Sequence, residues 1–230
     1  MVMKKDRILT SSFRKIKNTH RRFVSLLCMA LLGVGFYAGI QATSPDMLKT
    51  LDTYLDKQNM YDIEIISTLG LTNNDINRIK ELKNIDIVEG IYSKDVIMKS
   101  EKEEYVIKMI GINENINKIS LIEGDFPKQN DEIVVEKAFL EEMHVQLGDT
   151  IKQEDSELLY QEYKIVGIVQ SPLYFSINRG TTSLGRGQID YYIYANNNIF
   201  NQDYYTSIYL TISGAKELTT SEEKYKELVK

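Results

Sequence analysis

Residues 23–40 read FVSLLCMALLGVGFYAGI, eighteen positions without a charge. This run decides more about the fold than any other. Wound as an α-helix at 1.5 Å per residue, it is about 27 Å long, against a bilayer hydrocarbon core of about 30 Å. A helix satisfies its own backbone groups, so the run can cross lipid without leaving amides unpaired. Arg21 and Arg22 close one end, and Gln41, Thr43 and Ser44 follow the other. The run therefore predicts a transmembrane helix over 23–40, with Arg21 and Arg22 as its membrane flank. A buried core helix of this size would normally show a polar stripe, and here only Ser25 interrupts the run. A cleaved signal peptide needs small residues at its cleavage site, which the positions near Ile40 and Ala42 supply poorly. Cys28 lies inside the run behind Leu27, which disfavours a lipoprotein signal.

The charges set the direction. Residues 1–22 hold eight Lys and Arg against the single acid Asp6, a surplus of seven. The whole chain carries −5, so −12 falls on residues 23–230. Basic flanks stay in the cytoplasm, which predicts a cytoplasmic N-terminus, an extracytoplasmic remainder and a cell-membrane location. The acidity of that remainder argues against nucleic acid as a partner. Within residues 1–22, Ile8, Leu9, Ser12, Phe13 and Ile16 share one face at helical spacing. Two readings stand: an amphipathic helix on the inner leaflet with membrane lipid as its partner, or a solvated tail that only sets topology. Gly35 and Gly39 form GxxxG, which lets another helix approach closely. That marks them as candidate helix-packing residues, although Gly is also common in membrane helices.

Ser44-Pro45-Asp46 has the residues of a helix start, with Ser as cap, Pro in the first turn and Asp at the positive end of the dipole. Met47, Leu48, Leu51, Tyr54 and Leu55 then repeat at helical spacing, predicting a helical stalk over 41–58. Strands are expected at 61–65, at 85–98 with a break near Gly90, and at 105–112. Thr72 caps a helix over 73–82. Residues 119–127 read as a turn, followed by a strand at Asp131-Glu132-Ile133-Val134-Val135, a helix over 136–143 and a strand entered through Leu147-Gly148-Asp149-Thr150. Strands follow at 163–169, 189–194 and 204–212, with a long loop over 171–187 and a helix over 217–230. The fold class is α+β: one N-terminal transmembrane helix, then a mixed α+β extracytoplasmic domain over 59–215, predicted to form two lobes. The strands of 88–112 and the segment 119–169 each have their own helix, and one lobe sits between separated parts of the other. Residues 216–230 read as the start of a C-terminal stalk helix.

The sequence offers no catalytic constellation. The only Cys lies in the apolar run, so the external part has no disulfide. His20 and His144 fall on opposite sides of the predicted membrane and cannot share a metal site or a triad. The loop over 180–187 lacks GxxxxGK[ST] and is no phosphate loop. Acidic groups such as Glu101, Glu103, Glu104 and Glu141, Glu142 read as solvated faces. The expectation is a protein without catalytic residues, cofactor or metal.

Three stretches carry a resemblance: residues 14–47, RKIKNTHRRFVSLLCMALLGVGFYAGIQATSPDM; residues 123–151, EGDFPKQNDEIVVEKAFLEEMHVQLGDTI; and residues 163–172, YKIVGIVQSP. Together they resemble the FtsX-like permeases of ABC transporters, and the external part is similar to a MacB-like periplasmic core domain. The most specific piece is 124–151, with its Gly-Asp-x-Pro turn and its Leu147-Gly148-Asp149-Thr150. The resemblance implies a separate cytoplasmic ABC ATPase and a second permease subunit. It also implies ATP-driven helix movement passed to an external domain that exports or releases a substrate. Such permeases usually carry three further spans, so it further implies that this chain is the N-terminal portion, partnered by a missing C-terminal transmembrane part. The rival reading is a single-pass anchored binding or scaffold module that works without an ATPase.

Overall fold

The computed structural model describes Thr10, Arg14, Lys17 and residues 19–99, 103–153, 158–174 and 178–230. The expected amphipathic face of Ile8, Leu9, Ser12, Phe13 and Ile16 lies outside the described residues. The chain divides into two compact units, Met1–Leu51 and Asp52–Lys230.

Helix α1 is His20–Lys57, and among the described residues it is the one helix long and apolar enough to cross a membrane. It runs through Pro45 without a break, so the helix start expected at Ser44 does not form. Proline removes one i→i−4 bond from a helix interior, and here the carbonyl that loses its donor is that of Gln41. The loss of that single bond does not stop the helix. Thr43 and Thr50 turn their hydroxyls back onto the carbonyls of Gly39 and Asp46, both at 2.8 Å. The helix ends in a Schellman pattern. Asn59 takes the left-handed conformation (φ 54°), its amide donates to the Asp56 carbonyl, and the Met60 amide donates to the Leu55 carbonyl.

The unit Asp52–Lys230 contains two sheets. The smaller orders as β1-β10-β2, from β1 (Ile63–Leu71), β10 (Tyr205–Ile212) and β2 (Ile85–Ile91), with β10 antiparallel to both neighbours. Helix α2 (Asn73–Lys80) covers it, placing Ile76 in a core with Leu71, Val88, Ile208, Leu210 and Ile212. Thr72 begins that helix as expected, in a capping box: its amide and hydroxyl both donate to Asp75 Oδ2.

The larger sheet is built from β3 (Ser93–Lys99), β4 (Glu104–Gly111), β5 (Ser120–Gly124), β6 (Glu132–Val135), β7 (Thr150–Lys152), β8 (Glu162–Gln170) and β9 (Tyr191–Ala195). Its order is β3-β4-β9-β6-β8-β5, with β7 also on β8. The pairs β4–β9 and β6–β8 are parallel, and helix α3 (Lys137–Met143) lies on the crossover between β6 and β8. Val96, Ile107, Met109, Ile133, Phe139, Tyr163, Ile165 and Ile193 fill one core with no exposed surface. Each such side chain contributes about 1.5–3 kcal/mol relative to an exposed one.

All strands of the larger sheet lie between β2 and β10 in sequence, so one sheet is inserted into the other. The expected division of strands between them differs. Residues 88–112 do not form one set: the chain leaves the smaller sheet at Tyr92 and enters the larger at Ser93. Gly90 does not break its strand. A Cβ there would lie 2.5 Å from the Tyr205 ring, so glycine serves close approach. Residues 120–124, expected as part of a turn, form β5 against β8. Of the helix expected over 217–230, the structure has a 3-10 turn, Ala215–Glu217, and α4, Glu223–Leu228.

Candidate functional site

Arg21 and Arg22 lie exposed in the first turn of α1. Gly35 and Gly39 sit one turn apart, and no described atom lies within 4 Å of where a Cβ would stand on either. His144 caps α3 in the left-handed conformation and meets no predicted site residue.

A tight joint follows α1. The Asn117 amide donates to the Asn59 carbonyl (3.0 Å) and the Lys118 amide to the Gln58 carbonyl (2.8 Å). The Tyr61 amide donates to Asn117 Oδ1 (3.0 Å), and Asn59 Nδ2 donates to the Asn115 carbonyl. Glu89 on β2 receives the amides of Glu114, Asn115 and Ile116. The end of α1 is thereby tied to the β4–β5 connection by groups 56 residues apart.

Beside this joint the two ends of the unit meet. Asp62 Oδ1 accepts from the Tyr225 hydroxyl and Oδ2 from the Ile212 amide, both at 2.7 Å. Asp52 Oδ1 accepts from the Thr220 hydroxyl at 2.6 Å. Between them lies a cavity of about 190 Å³, lined by Leu55, Asp56, Met60, Tyr61, Leu218 and Tyr225 among others. Partial burial raises the pKa of Asp56; Asp52 and Asp62 push the same way, and Lys216 opposes them. Burial and the bond to Asp62 raise the Tyr225 hydroxyl.

An acid whose pKa is raised by folding favours the fold while protonated, and that contribution is lost as pH rises through the folded value. Ionised Asp56 therefore weighs against the fold at neutral pH. Asp56→Asn is expected to raise Tm at pH 7 and to flatten the fall of Tm between the unfolded carboxylate range and neutrality. Thermal unfolding of both proteins across pH 3.5–7 checks this; equal Tm values at pH 7 would remove Asp56 from the account.

The long loop over 171–187 is pinned from both ends. Ser171 and the Tyr194 hydroxyl share a buried bond of 2.6 Å, and Tyr174 stacks on Tyr192 with centroids 4.6 Å apart. Burial pushes the Tyr192 hydroxyl up to about 12. Further along, Arg179 Nε donates to Glu136 Oε1 (2.8 Å) and Nη2 donates to Oε2. Glu136, 6 % exposed, also receives the Tyr192 amide at 3.1 Å. The guanidinium stands 5.8 and 5.9 Å from the ring centres of Tyr191 and Tyr192. The bond to Glu136 raises the Arg179 pKa.

The protein-family model for the MacB-like periplasmic core domain matches residues 23–227. The chain belongs to this family. The matched range takes in most of α1, the helix long and apolar enough to cross a membrane, together with nearly all of the folded body of this MacB-like chain. It is similar to the extracellular domain of the noncanonic ABC-type transporter YknZ from Gram-positive bacteria. That match has 17% identity over 70% of this chain and 84% of that one, with a TM-score of 0.43. It is also similar to the periplasmic region of MacB from Actinobacillus actinomycetemcomitans, at 16% identity over 72% and 74% with a TM-score of 0.40. No curated protein matches the chain.

In this MacB-like domain the residues that sequence reasoning missed are paired over long separations. Glu136 and Arg179 are 43 apart, and Asp62 and Tyr225 are 163 apart. One local signal was present: Asn59, a residue suited to the left-handed position that ends a helix.

Proposed function

We propose that this chain is the N-terminal part of an ABC transporter permease, with α1 as its first span and Asp52–Lys230 as the extracytoplasmic domain. It couples ATP-driven movement of membrane helices to that domain, which exports or releases a substrate and performs no chemistry of its own. The observation that carries the reading is the family match, because it runs through the apolar helix and the folded body together. The charge split supports a cytoplasmic N-terminus. A cytoplasmic ABC ATPase and a second permease subunit, or the remaining spans, are the proposed partners. Gly35 and Gly39 present the small-residue face for helix packing.

The test is to tag the N-terminus, solubilise the protein from its native cell in detergent and identify what co-purifies by mass spectrometry. An ABC ATPase enriched well above an untagged control is expected. Envelope proteins alone, with no ATPase above background, would replace this reading with an anchored binding module.

A further inference from the structure

The C-terminal segment, residues 215–228, is attached differently from everything before it. Strand β10 ends at Ile212, and the Ser213 amide donating to the Asn84 carbonyl is the last backbone link to the sheet. Gly214 follows in the left-handed conformation (φ 84°), with nothing within 4 Å of a Cβ position. The backbone bonds beyond it run only three or four residues back: Glu217 to Gly214, Leu218 to Ala215, Glu222 to Thr219, Lys226 to Glu222 and Val229 to Tyr225. No residue of α4 is buried. Two side-chain hydrogen bonds hold the segment to the end of α1 and the start of β1, Thr220 to Asp52 and Tyr225 to Asp62. At its start Ala215 is buried in the smaller sheet's core, and partial burial of Tyr225 and Leu228 against that core adds to the two bonds. Behind the segment is the 190 Å³ cavity, where the packing that would lock it is missing.

We infer that Tyr225 and Thr220, closing on Asp62 and Asp52, form a releasable latch, and that residues 215–228 swing off about Gly214 as a unit while both sheets stay folded. Release breaks no sheet bond, since none reaches the segment. It opens the cavity to water and frees the chain beyond β10 to change its distance from the end of α1. Its purpose as a moving part rests on the permease reading. Its existence does not, and the two fail separately: the latch is read from amide exchange, the permease from the co-purifying ATPase.

The experiment is hydrogen exchange with mass-spectrometric detection on the full chain in detergent, comparing wild type with Tyr225→Phe, Thr220→Val and the control Tyr205→Phe. Tyr205 carries a hydroxyl bond to a neutral acceptor, Asn73 Oδ1, on strand β10. A hydrogen bond to a charged group contributes about 1.5–3 kcal/mol. Tyr225→Phe is therefore expected to speed exchange across 215–228 by about tenfold or more. Thr220→Val should act in the same direction, with 205–212 and β4 unchanged in both. Tyr205→Phe should leave 215–228 at the wild-type rate. Wild-type exchange in Tyr225→Phe would overturn the latch. So would acceleration shared equally by 205–212, since the segment would then open only with the sheet.

Discussion

Arg179→Ala lowers the stability of the Asp52–Lys230 unit by about 3–5 kcal/mol, the cost of leaving a buried charge without its partner. The carboxylate of Glu136 is almost wholly shielded from water. Two of its bonds come from Arg179, and the third, from the Tyr192 amide, cannot neutralise it. Removing the guanidinium also releases the loop over 171–187 from the faces of Tyr191 and Tyr192. For a unit of this size each kcal/mol shifts Tm by about 2–4 °C, so a fall of roughly 10 °C is expected by circular dichroism. Glu136→Gln keeps an acceptor for Tyr192 and leaves a charge that can turn to solvent, so it should cost less than Arg179→Ala. A Tm loss below about 2 °C in Arg179→Ala would show that the pair contributes no more than a surface contact.

Gly124→Ala is expected to cost about 2–5 kcal/mol, and Gly148→Ala only about 1–2 kcal/mol, although both glycines have positive φ and both lie in the same stretch. Every L-residue pays the left-handed backbone penalty, so the two substitutions share it. What differs is space. At Gly148 (φ 95°) a Cβ meets nothing within 4 Å, whereas at Gly124 (φ 82°) it falls 2.3 Å from the Val166 carbonyl oxygen. That oxygen is backbone, held in place by the Asp125 amide at 3.0 Å, and cannot rotate away. Gly167 closes the arrangement from the other side, where a Cβ would lie 2.5 Å from the Asp125 carbonyl oxygen. Urea unfolding of the two variants checks the contrast. Equal losses would mean that β5 yields to admit the methyl group.

Helices and turns were legible in the sequence because their causes are local. The uncharged run, the basic flank at Arg21 and Arg22, and Thr72 with Asp75 each act within a few residues, through i→i−4 bonds and the charge beside them. The glycines of the 124–151 stretch announced themselves too, although only the structure separates Gly124, which has no room for a methyl group, from Gly148, which has. Proline misled locally: Pro45 has the sequence of a start, yet α1 continues through it. Strand partners were not legible. Residues 120–124 alternate poorly and end at Gly124 with Asp125 next, so they read as a turn until β8 supplies the other half of the pairing. Residues 85–98 read as one strand with a break near Gly90, whereas the competing demands of β10 and β4 divide them between two sheets at Tyr92.

The sequence by itself determined an apolar helix, its charged flank and an α+β body. Tertiary structure decided the inserted sheet, the Glu136–Arg179 clamp and the meeting of Asp52 and Asp62 with Thr220 and Tyr225. The reason is physical: a helix finds its hydrogen-bond partners four residues away, whereas a strand or a buried charge takes its partner from wherever the chain returns.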